Sequence, residues 1–598
     1  MYIVIYDDIY LLCSNHEKLS AMRTASVILS IFSMIVGPAR SIATESEWPI
    51  VANPINLNYQ FQPADRDLPR REAADPACEY FNGYYWLFAS KSGGYWRSEN
   101  LVDWEYIPCP SIETINDYAP TILVYDDALY FTASSDGNPT RIFRTTTPED
   151  GTSWKEIECK ISYIHQHDPS FFKDDDGRVF FYWGCSDVNP IIGVEVDPAD
   201  GFKALGEPVE LIGHNRDKYG WEQFGRNNEE DSNGWNEGPA VIKANGKYYL
   251  QYASNGTQFR TYCDGVYVGD SPLGPFEYME GSPFSIKPGG FIGAAGHGHT
   301  FRDKYGNFWH VASMLVGVRH WYERRLGLFP VVIKNGNMWS STVLSDYPFR
   351  IPQEYVDVDS VPFDERTLSV GWRQLALDKA VSASSEGTLE KGADGDSGVG
   401  HARYAIDERV ETWWATATGN AGEWLCVDLD SVCDIHAVQV NFSDEGAKAL
   451  MGEALPHKYI VEVSSDNADW RMLVDRSNNT DDRPHELILT GQPVAARYVR
   501  ITNTADLPCK FSIMDLRVFG TDTRGKLDEV TEFEVIRNEA DPRRISFKWN
   551  PVKNADGYIL RWGLHPDALT HAIMVRGTEY EAGYFNRDSK YHFTIEAF

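Results

Sequence analysis

Trp235-Asn236-Glu237-Gly238-Pro239-Ala240-Val241-Ile242-Lys243-Ala244-Asn245-Gly246-Lys247-Tyr248-Tyr249-Leu250-Gln251-Tyr252-Ala253-Ser254 sets one carboxylate ahead of two short β-runs joined by Asn-Gly. β-Branched and aromatic residues on either side of a type I′ turn dipeptide predict a hairpin, with an acid at its mouth. The same pattern recurs four more times. It is read around Asn82-Gly83, around Asp126-Asp127, from Phe171 to Trp183 around Asp176-Gly177, and from Phe301 to Val311 around Gly306. Several copies lead into a further short strand and a polar turn, as at Trp96-Arg97-Ser98 and at Val194-Glu195-Val196-Asp197-Pro198. Five units of about four strands predict a five-bladed β-propeller, all-β, over residues 44–356. A β-sandwich of repeated hairpins is the alternative.

Three acids hold equivalent places just upstream of a hairpin: Asp75 before Pro76, Asp168 before Pro169, and Glu237 before Gly238-Pro239. The first strand of each propeller blade lines the central axis, so side chains there converge although they are remote in sequence. One Asp-Pro alone is an ordinary turn feature. Three acids in register raise at least one pKa among them and supply a proton donor beside a proton acceptor. Hydrolysis of a glycosidic bond needs that pairing.

Together with Tyr118-Ala119-Pro120, Asp174-Asp175-Asp176-Gly177, Ser271-Pro272-Leu273-Gly274-Pro275-Phe276 and Gly296-His297-Gly298, these motifs resemble glycoside hydrolase family 43. The resemblance implies Asp75 as general base, Glu237 as general acid, and Asp168 as the residue that orients the acid and raises its pKa. It also implies inversion at the anomeric carbon, for which the two working carboxyls stand about 6.5–9.5 Å apart. His297 is expected at the central channel, holding water or a metal, or else as a structural hydrogen-bonder; His299 is expected to be structural. The family usually has Trp where Tyr118 stands and often an acid where Thr121 stands, so this edge of the pocket is expected to take a different sugar. No cofactor is expected for catalysis.

The polar loop from His214 to Gly234 ends beside Glu237. Tyr219, Trp221 and Trp235 are candidates to stack on sugar rings, and Arg226 or Asn227 to bond hydroxyls. A solvated loop with its aromatics tucked beneath is the alternative. Arg324 is a rim candidate, with Arg319, His320 and Arg325.

Residues 370–521 change to a sandwich pattern. Ala405-Ile406-Asp407-Glu408-Arg409-Val410-Glu411-Thr412-Trp413-Trp414, Glu423 to Leu429 and Asp515 to Gly520 resemble the discoidin domain of coagulation factors, shared with carbohydrate-binding module family 32. That resemblance implies a structural Ca²⁺ among Asp407, Thr412 and Asp515, since oxygen ligands from loops suit this ion. Residues 527–598 resemble a fibronectin type III module that stops one strand early, which predicts an exposed edge and the role of a spacer.

The chain has 598 residues and a net charge of −32. The charge disfavours nucleic acid and anionic membrane surfaces. Nine scattered cysteines form no C-x-x-C pair and are expected to be mostly buried thiols. Within residues 1–43, Arg23, an apolar run from Ala25 to Val36 and Ser41-Ile42-Ala43 read as a secretory signal with Met22 as a candidate start. An ordinary buried N-terminal strand or helix is the alternative there, because residues 1–21, with Asp7, Asp8 and Glu17 among them, fit a signal peptide poorly. The expectation is a secreted or periplasmic protein, without membrane insertion, acting on a polysaccharide or oligosaccharide. The leading activity is that of an exo-acting glycosidase on plant polysaccharide side chains, an α-L-arabinofuranosidase or β-xylosidase. An exo-β-1,3-galactosidase and a catalytically silent carbohydrate-binding or adhesion protein are the alternatives.

Overall fold

The computed structural model describes residues 48–62, 69–134, 138–161, 167–390 and 398–598, and the backbone of 2–6 and 9–13. The segment read as a secretory signal lies outside them. All five hairpins form: Ala74–Phe81 with Tyr84–Ser90, Thr121–Tyr125 with Ala128–Thr132, Ser170–Lys173 with Val179–Trp183, Asn236–Ala244 with Lys247–Ser254, and Gly293–Arg302 with Phe308–Leu315. The Asn245-Gly246 turn has φ of 52° and 76°, the double positive φ of a type I′ turn. Each hairpin gains a third and fourth strand to make a blade, as Gly94–Ser98 and Glu105–Pro108 do for the first.

The five leading strands neighbour one another in chain order, and the fifth returns to the first. This ring is the five-bladed propeller. Its two ends are tied where Ile50–Val51 pairs with Phe349–Arg350. Between blades the alternating apolar faces form layers such as Phe88, Tyr95, Phe131 and Trp154. Each large side chain so enclosed contributes about 1.5–3 kcal/mol.

Beyond the propeller, Trp424–Phe442, His485–Asn503, Ser512–Thr521 and Tyr459–Ser464 form the centre of an eight-stranded sheet assembly around its own core. The C-terminal residues form two small sheets. One comprises Glu534–Arg537, Ile545–Lys548 and Glu579–Ala582, and the other contains Tyr558–Gly563, His571–Val575 and His592–Ala597. The edge expected to be open is paired: the backbone of Tyr2–Tyr6 runs antiparallel to His592–Ala597. A long exposed edge invites association, and pairing removes it.

The last module is also not a free spacer. It shares one hydrophobic core with blades three and four, in which Trp221 and Tyr252 join Phe547, Trp562 and Phe585. Gly220 N–H donates to Phe585 O at 3.1 Å, and Tyr278 Oη to Asn586 Oδ1 at 3.1 Å. The polar loop from His214 to Gly234 is therefore an interface, and Tyr219 stacks on Tyr278 with ring centres 3.6 Å apart. The eight cysteines from Cys78 to Cys509 are free thiols. Among the described residues no helix is long and apolar enough to cross a membrane.

Candidate active site

All five blades turn into the channel through the same unusual backbone. Asp75 (φ 49°), Ala119 (φ 49°), Asp168 (φ 53°), Gly238 (φ 59°) and His297 (φ 45°) occupy the left-handed region, which residues other than glycine rarely adopt. In blades one, four and five the strand register slips at this point. Such a bulge re-aims the side chain it carries.

The strained N–H groups are capped. Asp75 N–H donates to Ser313 Oγ at 2.8 Å, Ala119 N–H to Ser90 Oγ at 2.7 Å, and Asp168 N–H to Ser134 Oγ at 2.9 Å. Each of these serines lies at the end of the second strand of the preceding blade, so the contact that closes the ring also fixes the kink. His297 N–H donates to Asp264 Oδ1 at 2.7 Å, and Gly238 N–H to Asp168 Oδ2 at 3.2 Å. That last bond ties Asp168 to the residue beside Glu237.

The acids meet around His297. Its Nδ1 lies 3.4 Å from Asp75 Oδ1 and 3.7 Å from Asp168 Oδ2. Asp168, Cys185 and Glu237 each place a polar atom within 4.8 Å of the other two. Asp75 accepts from Ser90 Oγ at 2.7 Å and from Arg324 Nη1 at 2.8 Å. Arg324 Nη2 donates to buried Glu72 at 3.0 Å. Glu237, half-buried, accepts from Tyr262 Oη on one oxygen and from Cys185 Sγ at 3.1 Å on the other.

Electrostatics separate the two aspartates. Burial alone would raise Asp75, but Arg324 and then His297 outweigh it and hold its carboxyl below the ordinary value. Asp168 is pushed up to about 7; burial is the largest cause, Glu237 and Asp75 add to it, and His297 opposes. His297 is held above its usual value because the three carboxylates outweigh its burial. Near neutral pH one aspartate is fully ionised while its neighbour is still taking up protons.

The other expected residues divide. Tyr118 lies at the edge of the site, its ring 5.9 Å from that of Tyr322 and from the Arg324 guanidinium. Trp235 is exposed two residues before Glu237, and Trp321 and Tyr322 are exposed just ahead of Arg324. Trp221 is not a sugar platform: it is fully buried and its Nε1 donates to Tyr278 Oη at 3.0 Å. Arg324 serves the carboxylates rather than the rim. Arg319 and Arg325 face the discoidin domain, Arg325 Nε bonding His485 Nε2 at 2.9 Å. Thr121 is buried and accepts from Phe171 N–H at 3.2 Å, so it holds blade three rather than shaping the pocket. His299 is structural, accepting from Cys78 N–H at 3.4 Å.

Sequence reasoning missed Tyr262, Cys185, Glu72 and the capping serines. A signal for the serines exists. Ala89-Ser90, Ala133-Ser134, Ala253-Ser254 and Ala312-Ser313 repeat at the ends of the second strands, and blade three substitutes Gly184-Cys185.

In the discoidin-like domain, Asp407 accepts from Thr412 Oγ1 at 2.8 Å, and burial pushes its carboxyl up to about 6. Asp515 is fully buried; its Oδ2 accepts from Glu408 N–H at 2.7 Å and its Oδ1 has no partner. Two desolvated carboxyls with an orphaned oxygen fit a hard divalent cation.

Residues 68–338 match the family model described as Glycosyl hydrolases family 43, and residues 380–514 match that of the F5/8 type C domain. The chain is 24% identical over 235 residues to a protein of Aspergillus niger named beta-D-galactofuranosidase xynD, over 34% of this chain. The chain spans 62% of that relative's length. Among solved structures, a thermostable family-43 glycoside hydrolase is 24% identical with a TM-score of 0.41, covering 49% of this chain and 96% of that one. An alpha-L-arabinofuranosidase from Clostridium thermocellum is 18% identical with a TM-score of 0.35, covering 46% and 94%.

Proposed function

Residues 68–338 are a glycoside hydrolase domain of family 43, and from this premise we propose that the chain releases terminal sugars from plant polysaccharide side chains with inversion. α-L-Arabinofuranosides are its first candidate substrates and β-xylosides its second. The observation that carries the reading is the split between the acids. Asp75, kept ionised by Arg324 at 2.8 Å, takes a proton from water. Glu237 gives one to the leaving oxygen. Asp168 holds Glu237 in place through the Gly238 N–H, and its own proton keeps a second full negative charge out of the site. Inversion requires Asp75 and Glu237 far enough apart to admit the attacking water, about 6.5–9.5 Å.

A second substrate reading comes from the relative named as a galactofuranosidase: arabinofuranosides and galactofuranosides both present a five-membered ring to the pocket. The test is a panel of aryl α-L-arabinofuranoside, β-D-xyloside, β-D-galactofuranoside and β-D-galactopyranoside, with the first-formed anomer followed by NMR. Release of one sugar as the inverted anomer supports the proposal. Binding of polysaccharide without any release favours the silent carbohydrate-binding reading, and a retained anomer would make Asp75 a nucleophile.

The same reading puts Ca²⁺ in the discoidin-like domain, held by Asp407, Thr412 and Asp515, where it orders loops and takes no part in hydrolysis. It also puts the protein outside the cytoplasm, on the strength of the Arg23 to Ala43 pattern. Expression with and without residues 1–43, followed by assay of the medium or periplasm, tests that point.

A further inference from the structure

Two short strand segments carry the residues that hold Asp75, and both alternate between two surroundings. Glu72 faces Arg324, while its neighbour Arg71 faces the discoidin-like domain. Arg324 faces Glu72 and Asp75, while Arg325 faces the same domain. Side chains at adjacent strand positions point to opposite sides, so whatever grips Arg71 and Arg325 also sets the backbone from which Glu72 and Arg324 project.

That grip is dense and buried. Arg71 Nε donates to Asp444 Oδ2 at 2.6 Å, Nη2 to Asp482 Oδ1 at 2.7 Å, and Nη1 to Asp482 Oδ2 at 3.0 Å. Asp444 also holds His457 Nε2 at 2.9 Å. Arg325 Nε meets His485 Nε2 at 2.9 Å, and its Nη1 donates to Arg71 O at 2.7 Å. The segments are joined by Ala73 N–H to Arg324 O at 3.3 Å. Arg71, Arg325, Asp444, Asp482, His457 and His485 are all buried. Fully desolvated charges tolerate little displacement, because a lost partner leaves a bare charge in the interior.

We infer that the discoidin-like domain is a structural part of the active site, with Asp444 and Asp482 as positioning residues that act through Arg71 and the Glu72–Arg324 pair on Asp75. A tethered binding module would need no such lock. The inference rests on the glycosidase reading given above.

The test compares the full-length chain with Asp482→Asn, Asp444→Asn and the double variant, on the aryl glycoside that the wild type hydrolyses. Folding is checked by circular dichroism. If Asp444→Asn does not fold, the isosteric Asp482→Asn at the edge of the lock decides alone. A displaced Arg324 leaves Asp75 less well held. The acid limb of kcat/KM then moves to higher pH by up to about one pH unit, and kcat/KM near the former optimum falls roughly 10- to 100-fold. Loss of folded material alone would lower the whole profile without moving the limb. A folded variant with an unmoved limb overturns the inference, and so does one with wild-type kinetics. Absence of hydrolysis by the wild type would instead defeat the glycosidase reading.

Discussion

Replacing Arg324 with methionine removes a cation that stands 2.8 Å from Asp75 and 3.0 Å from Glu72, and the consequences can be worked through in sign and size. Arg324 is the strongest influence holding Asp75 low against its burial. An arginine beside an aspartate is worth about 1–3 pKa units, so the Asp75 pKa rises by that order in the variant. The acid limb of kcat/KM reports ionisation of the base in the free enzyme and moves upward with it. At a pH below both limbs, the rate is about tenfold lower for each pH unit by which the limb has risen. Stability changes as well. In the native chain Asp75 is depressed, so its contribution is present above the ordinary carboxylate pKa and is lost as pH falls through the folded value. The variant lacks that contribution at neutral pH and leaves buried Glu72 with Arg70, at 3.2 Å, as its remaining ionic partner, a loss smaller than the roughly 3–5 kcal/mol of a fully unpaired buried charge. The assays are a pH–rate profile on the aryl substrate and urea unfolding at pH 4 and pH 8, with Arg324→Lys expected between wild type and Met. A Met variant whose profile drops without moving its acid limb would refute the claim that Arg324 keeps Asp75 ionised.

Tyr262→Phe deletes the phenolic bond to Glu237; a hydrogen bond is worth about 0.5–1.5 kcal/mol net, so kcat/KM falls roughly 2- to 10-fold while the melting curve changes little. Asp168→Asn loses activity yet stabilises the fold at pH 8. The native carboxyl, pushed up to about 7, opposes folding increasingly as pH rises from the ordinary carboxylate value to 7. The gain is at most a few kcal/mol, and equal melting temperatures for variant and wild type at pH 8 would contradict it. After treatment with a chelator, calorimetry should show Ca²⁺ binding with a Kd of about 10⁻⁴–10⁻³ M, abolished in Asp407→Ala and accompanied by a rise in melting temperature in the wild type. An unchanged melting temperature would remove the ion from the structure.

The repeat was legible because a hairpin is a local object. Asn245-Gly246 and the aromatic strand after it specify turn and pairing with no help from elsewhere in the chain. The acids were legible for the related reason that their place in the repeat is local too. What holds them was not. Ser90 caps Ala119 in the next blade, and only ring closure brings Ser313 to Asp75. The recurring Ala-Ser pair shows a periodic small polar site, but nothing in it says which N–H it meets. Trp221 misleads because a tryptophan in a polar loop looks the same whether it stacks on a sugar or seals a domain interface. The burial of this one depends on Phe585 and Tyr278, of which the first belongs to another module. Arg71 and Arg325 were opaque for the same reason, since their partners lie more than 150 residues away.

The division of labour between Glu237 and Asp75 is tested most directly by leaving-group dependence. Glu237→Gln and Asp75→Asn are assayed on aryl glycosides of the released sugar whose phenols range from strongly acidic to weakly acidic. A dinitrophenolate departs without a proton, so Glu237→Gln should keep much of the wild-type rate on that substrate and lose it steeply as the phenol weakens. Asp75→Asn should be impaired on every member of the series alike. Uniform loss in Glu237→Gln, or rescue of Asp75→Asn by the better leaving groups, would contradict the assignment of acid and base.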